Sequence, residues 1–270
     1  MSTVHDELLT LASNLAVEAG RMVRDGRADR GIRDATTKSS ATDMVTEFDK
    51  ASETLIVSAI QAARPDDAII GEEGTDTVGT SGISWLIDPI DGTTNFLYGL
   101  PGYAVSIAAS SADGTEVGAV YVPATDELFT AVRGGGAHLN GLPIRCGDTD
   151  EISVALVATG FAYDRERRAR MARRVAELIP RVRDIRRFGA ASVDLCFVAA
   201  GRVDVYFEEH LGPWDLAAGE LIATEAGCRS GSLDGGPVRP SSVLVSTPAL
   251  FEPVRTMITD IDATLTPERP

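Results

Sequence analysis

Histidine and cysteine are scarce in this chain of 270 residues, with three of each. His5, His138 and His210 are too scattered to gather around zinc. Cys146, Cys196 and Cys228 are odd in number and far apart, which excludes a disulfide framework. They read as small core residues in a reducing compartment. Basic charge is also short: 25 Lys and Arg face 40 Asp and Glu, a formal net charge of −15. A nucleic-acid surface needs a basic face, so no such partner is expected. No apolar run approaches a membrane span. The start, Met1 to Leu15, carries Asp6 and Glu7 and lacks the basic opening of a secretory signal, so a cytoplasmic protein is expected. Neither a P-loop, nor G-x-S-x-G, nor H-E-x-x-H occurs. Cys196 to Arg202 has the C-x₅-R spacing of cysteine phosphatases, but its loop, F-V-A-A-G, has a single glycine to bare N–H groups. It reads better as a helix stopped by Gly201 with Cys196 in the core.

What remains is an ordinary globular composition, 44% hydrophobic and 24% charged, enough for one large domain or two tightly joined ones. Val4, Leu8, Leu11, Leu15, Ala19 and Met22 recur at helical spacing, with Ser2 or Thr3 as cap and an end near Gly26. The polar stretch to Ser40 reads as a loop or short hairpin, and a second helix is predicted over 43–63, capped by Asp43. Short strands follow at 68–71 and from Trp85. Runs at 103–110, 116–122 and 128–132, parted by turn signals, predict an antiparallel meander, with Gly134 to Gly136 as a hairpin turn. From about Ile152 strands and helices alternate: strands near 154–159, 184–187, 203–207 and 242–246, helices near 165–179, 190–200, 213–226 and 248–264. The class is therefore α/β (α+β), with a boundary near residue 150 that divides an α+β half (1–150) from an α/β half (151–270).

The chain is organised around Trp85 to Phe96, W-L-I-D-P-I-D-G-T-T-N-F. An apolar strand is expected to stop at Asp88, because Pro89 has no N–H for a central ladder. Asp88 and Asp91 then share one side of a turn, with the Ile90 carbonyl between them. At Gly92, Thr93 and Thr94 a helix start can aim free N–H groups at an anion. Carboxylates recur where other predicted strands stop: Glu72 and Glu73 after one, Asp215 after another. Two carboxylates about 5 Å apart repel by roughly 3 kcal/mol at an effective dielectric of about 20. Four gathered together call for a cation, and hard oxygen ligands suit Mg²⁺. Such a cation would also overcome the repulsion between an acidic protein and an anionic substrate. Asp215, in P-W-D, equally suits the first turn of a helix, where it offsets the dipole. Asp49 lies one residue past Phe48, at the rim of a buried helical face, where a carboxylate can orient a water.

Taken together, G-E-E at 71–73, D-P-I-D-G-T-T-N-F at 88–96, W-D-L-A-A-G at 214–219, E-A-G at 225–227 and the lead-in K-S-S-A-T-D-M-V-T-E-F-D at 38–49 resemble the inositol monophosphatase family of Mg²⁺-dependent, Li⁺-sensitive phosphatases. The resemblance implies a layered α/β/α/β/α sandwich of the sugar-phosphatase type, usually a homodimer. It implies that Glu72, Asp88, the carbonyl of Ile90, Asp91 and Asp215 hold two or three Mg²⁺. Gly92 and Thr93 would bind phosphate through their N–H groups, and Asp49, Thr93 and Glu72 would position and deprotonate the attacking water. Glu208 and Ala191 would face the alcohol. The expected reaction is hydrolysis of inositol 1-phosphate. Fructose-1,6-bisphosphatase, histidinol-phosphate phosphatase and 3′-phosphonucleotide phosphatase are alternatives within the family, and a non-catalytic regulatory or scaffolding protein is the alternative outside it. The segment 159–164 (T-G-F-A-Y-D) is similar to bacterial members and falls on the variable alcohol side.

Overall fold

The computed structural model describes residues 3–32, 35–38 and 44–265. Helix α1 (Thr3–Arg30) leads into a hairpin of β1 (Ala35–Thr37) and β2 (Met44–Thr46), then α2 (Glu47–Ala63). The first sheet comprises β3 (Ala68–Gly71), β4 (Asp76–Thr77), β5 (Ser84–Asp91), β6 (Ala104–Ser111), β7 (Gly114–Val122), β8 (Glu127–Val132), β9 (Gly136–Leu139) and β10 (Leu142–Ile144), with α3 (Thr93–Tyr98) between β5 and β6. Its order is β10-β9-β8-β7-β6-β5-β3-β4, with every pairing antiparallel except β3 with β5. The second part runs β11 (Leu156–Thr159), α4 (Arg165–Leu178), β12 (Asp184–Arg186), α5 (Ala191–Ala199), β13 (Val205–Glu208), α6 (Pro213–Glu225), β14 (Arg229–Gly231), β15 (Val243–Ser246) and α7 (Phe251–Thr264). Its sheet order is β12-β11-β13-β15-β14.

Side-chain alternation stacks these pieces into α/β/α/β/α layers. Along β6, Val105, Ile107 and Ala109 join Leu8, Ala12, Ile56 and Ile60 of α1 and α2 on one face. Ala104 and Ala108 point the other way, into a core with Val193 and Leu195 of α5 and Ile222 of α6, as strand periodicity requires. That middle core also takes Tyr206, Val243 and Val245 from the second sheet. The sheet's outer face, through Val157, Phe207 and Leu244, packs against Leu178 of α4 and Val254 and Ile258 of α7. Each fully buried Ile, Leu or Phe contributes about 1.5–3 kcal/mol of burial. At Gly118 a Cβ would come within 2.9 Å of the Ala218 Cα, so glycine lets β7 touch the backbone of α6. Arg174, buried in α4, donates to both Asp262 oxygens (2.8 and 2.6 Å) and to Glu209 (2.7 Å), pinning α4 to α7 and to the end of β13.

Several elements depart from the sequence reading. Helix α1 passes Gly26 to Arg30, because Arg27 Nε donates to the Phe96 carbonyl (2.7 Å) and its guanidinium lies over the Phe96 ring. Ser2 and Asp43, expected as caps, lie outside the described residues. α2 begins only at Glu47, with Thr46 as its N-cap, and residues 44–46 form a strand. β5 does not stop at Asp88. It runs through Pro89 to Asp91 by a bulge, which spares the ladder the missing N–H, and the Pro89 carbonyl accepts from Ser52 Oγ at 2.9 Å. A 3-10 turn occupies 152–154, α7 starts at Phe251 rather than Pro248, and β14 is an added strand. Among the described residues no helix is long and apolar enough to cross a membrane.

Candidate active site

The bulge in β5 brings Asp88 and Asp91 beside the third residue of α6, Asp215, and one carboxylate oxygen from each lies within 4.8 Å of the others. Asp88 and Asp91 are buried, and Asp88 Oδ1 accepts from the Ile90 N–H at 3.0 Å. Asp91 accepts from the Ala191 N–H (3.3 Å) and from the N–H (2.7 Å) and hydroxyl (2.6 Å) of Ser192. Asp215 Oδ2 takes the Gly212 N–H at 2.7 Å, so one oxygen closes the helix start and the helix-start role holds alongside membership of the cluster. Burial first, then mutual repulsion with Glu72 and the neighbouring aspartates, raises Asp88 and Asp215 well above the ordinary carboxylate range. Burial pushes Asp91 up to about 6, against the pull of the Ser192 bonds. A cluster this reluctant to ionise is what a divalent cation relieves. The donors are all oxygen, so the residues fit Mg²⁺.

Glu72, at the end of β3, lines the same cavity but stands outside that trio. Its Oε1 accepts from Lys38 Nζ at 2.8 Å, and the same ammonium reaches Glu73 at 2.5 Å. Burial disfavours the Lys38 charge, but the two glutamates outweigh it and raise its pKa. Glu53 accepts from the Glu73 N–H (2.8 Å) and from Thr75, which fixes the turn.

Gly92 adopts φ +86° at the mouth of α3, and a Cβ there would meet the Gly102 carbonyl at 2.8 Å. Only glycine fits, and the first N–H groups of α3 are left without helical acceptors. Thr93 Oγ1 lies 3.1 Å from Asp49 Oδ1 and 3.0 Å from the Ile90 carbonyl, with one hydrogen to give. Asp49 is not at a rim, as the sequence suggested. It is fully buried behind Thr93, because its other oxygen completes a capping box with the Thr46 N–H (2.8 Å) and hydroxyl (2.6 Å).

Ala191 and Glu208 line the opposite wall of a cavity of about 320 Å³. Burial pushes Glu208 up to about 7, although Tyr206 Oη donates to it at 2.7 Å. Gly160 leaves room for that carboxylate, whose oxygens lie about 2 Å from where a Cβ would stand. His210, on the same wall, holds φ +66°. Residues the sequence reading missed include Ser192, Asn95, Asp194 and Arg187. Asn95 Nδ2 donates to the carbonyls of Gly102 (2.5 Å) and Phe188 (2.6 Å). Asp194 is the lone charged residue in the largely apolar α5, a visible signal, and among the described residues its buried Oδ1 has no hydrogen-bond partner.

Residues 4–258 match the inositol monophosphatase family. The chain belongs to that family. An inositol-1-monophosphatase of Mycobacterium bovis is 45% identical over 239 residues, 82% of each chain. A protein named Nus factor SuhB from Pasteurella multocida is 44% identical over 231 residues, 85% of this chain and 86% of its own. The crystal structure of extragenic suppressor protein suhB from Bartonella henselae superposes with a TM-score of 0.88 at 32% identity, covering 93% of this chain and 98% of its own. Membership fits the layer order, and phosphatase chemistry is consistent with the acidic trio.

Proposed function

We propose that this family member is a Mg²⁺-dependent phosphate monoester hydrolase acting on inositol 1-phosphate. The observation that carries the reading is the trio of buried Asp88 and Asp91 with half-buried Asp215, set beside the glycine turn at Gly92. These three, with Glu72 and the Ile90 carbonyl, would hold two or three Mg²⁺. When bound, Mg²⁺ supplies charge neutralisation for the phosphate and the leaving oxygen, and acidifies a nearby water. The N–H groups of Gly92 and Thr93 hold phosphate oxygens and so orient phosphorus for in-line attack. Thr93 Oγ1, backed by Asp49, and the Glu72 carboxylate orient the attacking water and take its proton. The ester P–O bond breaks as the new one forms, and the alcohol oxygen gains a proton from solvent. Glu208, steadied by Tyr206, orients the alcohol hydroxyls against Ala191. The 1–150 half thus supplies most ligands and the 151–270 half supplies Asp215.

A cytoplasmic homodimer inhibited by Li⁺ completes the proposal. The name of the Pasteurella relative favours a second reading, a regulatory protein, while the intact carboxylate set favours catalysis. The test is phosphate release with Mg²⁺, with and without Li⁺, from inositol 1-phosphate, fructose 1,6-bisphosphate, histidinol phosphate and 3′-phosphoadenosine 5′-phosphate. A Li⁺-sensitive preference for inositol 1-phosphate is expected. Preference for another ester would move the substrate, and inertness towards all four would leave the regulatory reading.

A further inference from the structure

The fold does not treat the three cysteines alike. Cys196 is fully buried in α5, and burial raises its thiol well above the ordinary value, so it stays protonated and inert. Cys146 and Cys228 are 82 residues apart in the chain, yet the fold brings them together. Cys146 is half-buried in the passage from β10 to β11, where the chain leaves the first sheet for the second, and Cys228 is buried between α6 and β14. The Cys146 N–H donates to the Ala226 carbonyl at 2.9 Å, and a Cβ on Gly227 would stand 3.9 Å from Cys146 Sγ. The Cys228 N–H donates to the Ala223 carbonyl at 3.0 Å, which folds Cys228 back against the last turn of α6. The Cys146 sulfur therefore rests on the residue next to Cys228. This corrects the expectation that all three are separate core residues.

The two thiols are unequal. The Cys228 thiol donates a hydrogen bond to the Cys146 sulfur, and this bond brings Cys146 down to about 7 against the effect of its partial burial. The same bond, with burial, pushes Cys228 up. One sulfur is thus open to solvent and substantially thiolate near neutral pH, while its neighbour is shielded and protonated. An accessible thiolate poised beside a second thiol is the arrangement that meets an oxidant with one sulfur and resolves the product with the other. Neither residue lines the acidic cavity, and the phosphatase reading uses neither.

We propose that Cys146 and Cys228 are a peroxide-reactive pair that closes reversibly into a disulfide, stapling the passage between the two sheets to the end of the helix that carries Asp215. The Cys146 thiolate attacks one oxygen of a hydroperoxide, the O–O bond breaks, and the departing oxygen takes a proton from solvent. Cys146 is then a sulfenic acid, and the bond that held Cys228 protonated is gone. The Cys228 sulfur attacks the Cys146 sulfur, its proton leaves with the displaced hydroxide as water, and a thiol reductant reverses the product. The test treats the folded, reduced protein with a slight excess of hydrogen peroxide, then counts thiols after denaturation and maps them by mass spectrometry. The count falls from three to one, the monomer loses the mass of two hydrogens, the residual thiol is Cys196, and dithiothreitol restores all three. Cys228→Ser halts at the sulfenic acid of Cys146, which dimedone captures, whereas Cys146→Ser takes up no dimedone. Three thiols surviving in the wild type, a bond that includes Cys196, a bond between two chains, or Cys146 carried on to sulfinic acid overturns the pair. Dimedone on Cys228 in the Cys146→Ser variant overturns the assignment of the attacking sulfur.

Discussion

Replacing Asp88 with asparagine should raise the melting temperature of the metal-free protein and abolish its response to Mg²⁺. Asp88 shares a pocket with Asp91 and Asp215 whose oxygens lie within 4.8 Å of one another. A like-charge pair at that spacing costs about 3.5 kcal/mol at an effective dielectric near 20. Protonation lets the wild type escape part of this, so about 1–3 kcal/mol remains for an amide to recover. The amide oxygen still accepts from the Ile90 N–H. For a chain of this size the gain corresponds to roughly 3–10 °C. Mg²⁺ at about a hundred times its Kd should stabilise the wild type by about 2.7 kcal/mol and raise its melting temperature on the order of 5–10 °C. Mg²⁺ should therefore close or reverse the gap between the two proteins that chelator shows. Thermal melts by circular dichroism in both conditions decide the matter. A variant that melts below the wild type in chelator, or gains as much from Mg²⁺, refutes the repulsion and the metal fit respectively.

Asp91→Asn should lower turnover by about a thousandfold or more, the scale of electrostatic stabilisation lost at a reacting oxygen, while the far-UV spectrum stays native; near-normal phosphate release would sink the assignment. Glu208→Gln should weaken use of inositol 1-phosphate more than of an aryl phosphate, and equal losses in kcat/KM would show that Glu208 does not read the alcohol. Gly118→Ala forces a methyl against the backbone of α6; it should cost about 1–3 kcal/mol in denaturant melts and reduce activity, because α6 carries Asp215. Burial raises Asp67, but bonds from Arg64 (2.8 and 3.2 Å) and Trp85 Nε1 (2.9 Å) outweigh it and hold the carboxyl below its ordinary value. The stability it adds is full above the unfolded pKa of about 3.9 and is lost as pH falls through the lower folded value. The melting-temperature gap between wild type and Asp67→Asn should therefore close on acidification below about 4, and a gap that widens there contradicts the sign.

The layers were legible because strand and helix periods differ, and β6 shows it within eight residues. The gathering of Asp88, Asp91 and Asp215 was legible because carboxylates recurred near predicted strand ends, although Asp88 proved to lie inside β5 and Asp215 in the first turn of α6. What escaped depended on distant partners. Arg27 extends α1 through a carbonyl 69 residues away. Asp49 was placed at a rim because helical spacing cannot reveal that Thr46 and Thr93 enclose it from two sides. Pro89 predicted a strand end by the correct local rule, and the bulge evaded it by leaving the missing N–H unneeded. Arg187 was lost in a run of arginines whose individual duties only packing separates.

Asp91 hangs from the N-terminus of α5, Asn95 grasps the Phe188 carbonyl, and Ser106 Oγ reaches the Trp214 carbonyl at 3.2 Å. Mechanically, these bonds are a clasp between two plates, fastened at the place where the cation would sit. A force that parted the plates would loosen Asp91 and Asp215 in one stroke. A cation held there would therefore also act as a strain gauge for the seam between the two sheets.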